Sequence, residues 1–109
     1  MKVLDMKEIT NYRETSENSS EGSVKENINK PISGKAVILN YFRQCHENFT
    51  VVTCAAVDHI TGKPLNGESI RTYDDGSYCW TNEEELLFEK YDLKLNDDFI
   101  AHVMSKTSE

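Results

Sequence analysis

Two places in this chain could set a thiol nucleophile beside an imidazole base: Cys45 with His46, and Cys79 with His102. That chemistry needs the two groups within hydrogen-bond reach and a third group to orient the base. No motif surrounding these cysteines supplies that arrangement, and Cys79 stands beside Trp80, where a small apolar filler is expected. Cys54, His59, Cys79 and His102 are residue types that suit zinc. Structural zinc sites draw their ligands as closely spaced pairs, however, and no pair here has that spacing. Asp74, Asp75, Glu83 and Glu84 offer carboxylates for acid–base work or for a divalent cation. They lack the alternate-position ligands of a calcium loop, and each has a structural reading. Aspartate before Gly76 makes a turn, and glutamate after Thr81 starts a helix. The expectation is therefore no enzyme, no structural metal and no cofactor.

Charge narrows the partners. The chain has 109 residues and a formal net charge of −7. Phosphates reward lysine and arginine, so nucleic acid and anionic membranes are disfavoured. Two helices are expected near the C-terminus, but the second opens on Asp97 and Asp98, which would set negative charge against DNA in a helix-turn-helix. No apolar run approaches the ~18 residues of a membrane span. The opening Met1–Glu8 is charged too early for a signal peptide, which leads to a cytoplasmic expectation. Three cysteines, an odd count, are expected to be free and mostly buried thiols.

The elements that must position these groups can be read in order. Residues 1–13 are mildly amphipathic, and residues 14–30 are polar with only Val24 and Ile28 apolar. Such a stretch buries too little surface to offset the entropy of ordering, so residues 1–30 read as an extension and flexible linker. A single domain is then expected over 31–109. Ser33 is placed to cap a helix from Gly34 to Cys45, with Ile38, Tyr41, Phe42 and Cys45 at helical spacing; a strand through Ala36–Leu39 is the rival reading. Phe49–Val57 is β-branched and uncharged and predicts a central strand. A loop or loose hairpin with Gly62, Pro64 and Gly67 follows, then a strand over Ser69–Tyr73. Asp74–Ser77 turns it and Tyr78–Trp80 returns. Thr81 with Glu84, or Asn82 with Glu85, forms a capping box for a helix that buries Leu86, Leu87 and Tyr91. Trp80 is expected to anchor the sheet to this helix. A second helix begins at Asn96, with Phe99, Ile100, Val103 and Met104 as its apolar stripe. The fold class is α+β: an antiparallel sheet of about three strands, an N-terminal helix and two short C-terminal helices packed on one face.

The run Arg71-Thr72-Tyr73-Asp74-Asp75-Gly76-Ser77-Tyr78-Cys79-Trp80, followed by Phe88-Glu89-Lys90-Tyr91-Asp92-Leu93-Lys94-Leu95 and Phe99, resembles small bacterial immunity-type proteins that neutralise toxins of interbacterial competition. The resemblance covers about residues 60–104. It implies a protein that binds and inhibits a basic toxin or nuclease and needs no catalytic residues. The charge pattern places the partner-binding residues at Asp74, Asp75, Glu83, Glu84, Glu85, Asp97 and Asp98, the acidic turn and helix starts. The alternatives are an accessory subunit or phage-encoded modulator and, in another class, a cysteine- or metal-dependent enzyme.

Overall fold

The computed structural model describes residues 7–14, 22–47 and 49–107, with the side chains at 52, 53 and 66 left aside. The architecture is α+β, with three α-helices and a mixed sheet. In chain order the elements are β1 (Lys7–Glu8), a single 3-10 turn (Val24–Glu26), α1 (Lys35–Gln44), β2 (Phe49–Val57), β3 (Pro64–Asp74), β4 (Tyr78–Thr81), α2 (Asn82–Tyr91) and α3 (Asp97–Thr107). The strand order is β1-β4-β3-β2. β2, β3 and β4 are joined as antiparallel hairpins, and β1 lies parallel to β4. The expected three-strand antiparallel sheet is thus incomplete: Lys7 and Glu8 add a fourth, parallel strand.

One face of the sheet carries Tyr73, Tyr78 and Trp80 into a core with Ile38, Tyr41 and Phe42 of α1, Phe88 of α2, and Phe99 and Val103 of α3. The aromatic rings meet edge-on, tilted or stacked; Phe42 lies 5.2 Å from Trp80 and 6.0 Å from Phe99. Helical spacing of apolar residues in α1 and α3 requires this burial, so the helix reading of residues 35–44 holds and the strand rival falls. Ser33 is not the cap of α1. Gly34 holds that position without a side-chain bond, and Met104 of α3 occupies the space where a Cβ would stand.

The domain does not begin at Pro31. Ile9, Tyr12 and Val24 are all buried. Tyr12 and Val24 form a second cluster with Leu87 and Leu93, flanked by Ile28, Ile60 and Tyr91. The segment is poor in apolar residues, but the few present are inserted and its polar groups are bonded. Glu14 accepts from the Ser23 hydroxyl and the Val24 amide. The Asn29 and Lys30 amides donate to Tyr91 and Asp92, and the Lys94 amide donates to Asn27. An average over composition misses this, because specific hydrogen bonds help hold the backbone against the entropy of a polar stretch. Residues 15–21, the rest of the expected linker, lie outside the described residues.

β2 is not central. It ends the sheet, and Phe49, Val51, Cys54 and Ala55 are exposed. Its apolar run fits an edge because the main aromatic cluster forms over β3 and β4; among the described side chains of β2 only Ala56 is buried. The tight turn stands as expected. The Asp75 amide donates to Tyr78, Asp74 and Asp75 accept from Gly76, Ser77 and Tyr78 amides, and Gly76 takes φ +94°, a region open to glycine. None of the helices among the described residues is long and apolar enough to cross a membrane.

Asn82 joins helix and sheet. Its Oδ1 accepts from the Arg71 amide at 3.0 Å and its Nδ2 donates to the Ser69 carbonyl at 3.1 Å. The side-chain amide thereby continues the ladder of β4 where the backbone has turned into α2. Asn82→Ala removes both bonds and is expected to cost about 1–3 kcal/mol in a urea titration, with Asn82→Asp intermediate because it keeps only the acceptor. Equal stability of all three proteins would refute this bridging role.

Candidate functional site

Three consecutive glutamates open α2, and the helix turns each in a different direction. Thr81 caps the helix through the Glu84 amide, and Glu84 Oε1 accepts the Thr81 amide in return. Glu84 Oε2 accepts the Thr10 hydroxyl at 2.6 Å, far from solvent. Burial pushes this carboxyl up to about 8, against the pull of its hydrogen bonds to Thr10 and Thr81. Glu83 reaches the end of β2, accepting the Val57 amide at 2.8 Å and pairing with His59 at 3.0 Å. That bond raises the His59 imidazole, with burial opposing it. Glu85 accepts the Trp80 indole N–H at 2.7 Å and pairs with His46 at 2.8 Å. Burial raises its carboxyl despite both partners.

The other end of β4 holds the second acidic group. Asp75 is an inward residue; it accepts the Tyr41 hydroxyl and the Ser77 and Tyr78 amides, and it pairs with His102 at 2.8 Å. Burial works against its charge, but these bonds outweigh it and hold the carboxyl below the usual range. Asp74 is half-buried and accepts the Gly76 amide. Asp98 is exposed and accepts the Tyr78 hydroxyl at 3.1 Å. The Asp97 side chain is 91% exposed and lies 3.6 Å from Lys94.

The seven acidic residues therefore do not form one face. Asp74 and Asp75 shape the turn and Asp98 reaches Tyr78 beside it, while Asp97 turns towards Lys94. Glu83, Glu84 and Glu85 lie across β4 and point inward as internal acceptors, so they are removed from the expected interface. A carboxylate run looks the same in sequence whether it faces water or takes three internal hydrogen-bond donors.

The histidines of the two candidate cysteine–histidine pairs are bonded to carboxylates instead, His46 to Glu85 and His102 to Asp75. Burial and neighbouring carboxylates push both thiols up to about 11, away from the thiolate. Cys54 lies exposed on β2, contrary to the expectation of buried thiols, and Cys45 and Cys79 are only partly covered. Among the described residues no group of three or more histidine, cysteine, aspartate or glutamate side chains could hold a metal ion. Every buried side-chain nitrogen and oxygen among them has a hydrogen-bond partner.

No family model, curated protein or solved structure matches this chain. Its function must be argued from its own surface.

That surface has features the sequence reading passed over. Phe49 and Val51 on β2 are 51% and 50% exposed. Arg71 on β3 lies over the Phe49 ring at 5.7 Å and 3.7 Å from Glu68. Beside them a shallow groove of about 210 Å³ runs between β3 and α2, lined by Leu65, Glu68, Asn82, Glu85, Leu86 and Glu89. The lack of any charge from Phe49 to Val57 was visible in the sequence, but it equally suits a buried strand. Asp58 was also missed. It is buried, takes the Ile60 and Thr61 amides and the Tyr91 hydroxyl, and closes the β2–β3 turn. An aspartate two residues before a turn's amides was the available signal.

Proposed function

We propose that this chain acts by binding a basic protein, and that it neutralises a toxin or nuclease domain in the manner of the immunity-type proteins it resembles. One observation carries the reading. Most groups suited to acid–base or thiol work are committed to internal bonds or held protonated, while the chain keeps a net charge of −7 even though exposed Asp97, Glu68 and Glu89 each lie 3.6–3.7 Å from one lysine or arginine. Asp97 and Asp98 stand at the start of α3, Glu47 precedes β2, and Glu68 and Glu89 lie on β3 and α2. With a net charge of −7, this field steers a basic partner inward and raises its association rate.

The test is the double reversal Asp97→Lys with Asp98→Lys. Association with the captured partner is expected to slow by about tenfold or more at low salt, and the gap should narrow as salt screens the field over ~10 Å at 0.1 M. Stability should fall by several tenths of a kcal/mol per site from the helix dipole, plus about 1 kcal/mol for the Tyr78 hydroxyl bond lost at Asp98. Equal capture by the reversed protein, with rates indifferent to salt, would reduce the acidity to a role in solubility.

A further inference from the structure

We infer that the free edge of β2 receives an extended basic segment of the partner as an added strand. This deepens the proposed function and rests on its basic partner. Among the described residues β2 pairs only with β3. The Arg71 amide and Ser69 carbonyl of β3 both go to Asn82, on the β4 side, so Ile70 and Thr72 carry the ladder towards β2. Their register partners are Val52 and Thr50. Alternation then turns the backbone N–H and C=O groups of Phe49 and Val51 outward along the edge. The same two residues expose their side chains on the face shared with Tyr73 and Arg71.

Native proteins blunt such edges with lysine, proline or a cover. Phe49–Val57 has no charge and no proline, and its first four residues pair with β3 in unbroken register. An added strand gains main-chain bonds from this edge and specificity from alternate side chains. Charge selects the occupant. Glu68 and Glu89 stand exposed along the adjoining groove around Leu65 and Leu86, each 3.7 Å from one exposed arginine, Arg71 and Arg43, and the chain as a whole carries −7. An extended segment with apolar residues on the face of Phe49 and Val51 and lysine or arginine on the other matches both the apolar strand and the net charge. A second copy of the chain would bring a strand with no basic residue and a further charge of −7.

The probe is a synthetic peptide of alternating lysine and valine, nine residues long to match β2. Its comparators are the glutamate–valine peptide and a lysine–valine peptide methylated on its backbone nitrogens. Amide shifts and hydrogen exchange are read on the isotope-labelled full chain. The lysine peptide should bind at ~1 mM or tighter, shifting and protecting the Phe49 and Val51 amides. The glutamate peptide should bind about tenfold more weakly, and the methylated one should give no protection. Val51→Pro removes an outward N–H that the ladder does not use and should abolish binding with the fold retained. Val51→Lys blunts the same edge should the proline variant not fold. Lysine-peptide shifts confined to the start of α3 would overturn strand addition and leave the basic partner standing. Equal binding of both charged peptides at β2 would overturn the basic partner and leave the edge. No binding by any peptide, or dimers in sedimentation that Val51→Lys disperses, would overturn the assigned occupant.

Discussion

Trp80→Ala will cost about 3–5 kcal/mol of folding stability, the loss expected when a large aromatic side chain leaves a core. Trp80 is buried at the centre of the aromatic cluster, 5.2 Å from Phe42 of α1 and 5.7 Å from Phe99 of α3. Its indole N–H donates to Glu85 of α2. One side chain on a four-residue strand thus holds the sheet to three helices. The expected anchor to α2 is made through Glu85 and Phe88, while Leu87 and Tyr91 of the same helix belong to the second cluster. Trp80→Phe separates packing from polarity: it keeps most of the apolar contact and leaves Glu85 with His46 alone, for a loss of about 1–3 kcal/mol. Denaturant titration measures both, and two losses near zero would show that the cluster does not hold the fold.

Raising the pH from about 5 to about 9 will destabilise the protein, and Glu84→Gln will remove most of that loss. The folded-state Glu84 carboxyl is pushed up to about 8 by burial, from an ordinary value of 4.5. Between those values the folded chain holds a proton that the unfolded chain has released, so stability falls as pH rises through the window. At about 1.4 kcal/mol per unit, the full effect is on the order of 5 kcal/mol. His59 is also raised, and its contribution fades in the same direction. The acid side has the opposite sign. Asp58 is buried and Asp75 and Glu14 are partly covered, yet their hydrogen bonds hold them below their usual values, so their stabilisation is present above those values and is lost as pH falls. A stability maximum near pH ~4–5 results, where the falling Glu84 contribution and the rising carboxylate contributions cross. Glutamine cannot ionise but can still accept the Thr81 amide and place its other group on Thr10. Urea titrations at about pH 6 and about pH 9 should show a steep drop for the parent and a shallow one for Glu84→Gln. Parallel curves would place the titrating group elsewhere.

Local signals determined much of this protein. The Asp-Asp-Gly-Ser turn, the Thr81–Glu84 box, the apolar spacing of α1 and α3 and the α+β class could all be read in the chain, because each depends on neighbours within a turn or two. Tertiary structure decided the rest. Composition cannot say that Ile9, Tyr12 and Val24 complete two cores, since burial of a few side chains depends on partners some 70 residues away, such as Thr10 with Glu84. A neutral β-branched run reads the same in the middle of a sheet and at its edge, so only strand order exposed Phe49 and Val51. Three adjacent glutamates look like one charged face in sequence. Rotation about the helix and the donors at Val57, Thr10 and Trp80 turned them into internal acceptors, and so moved the candidate binding surface to the start of α3 and the edge of β2.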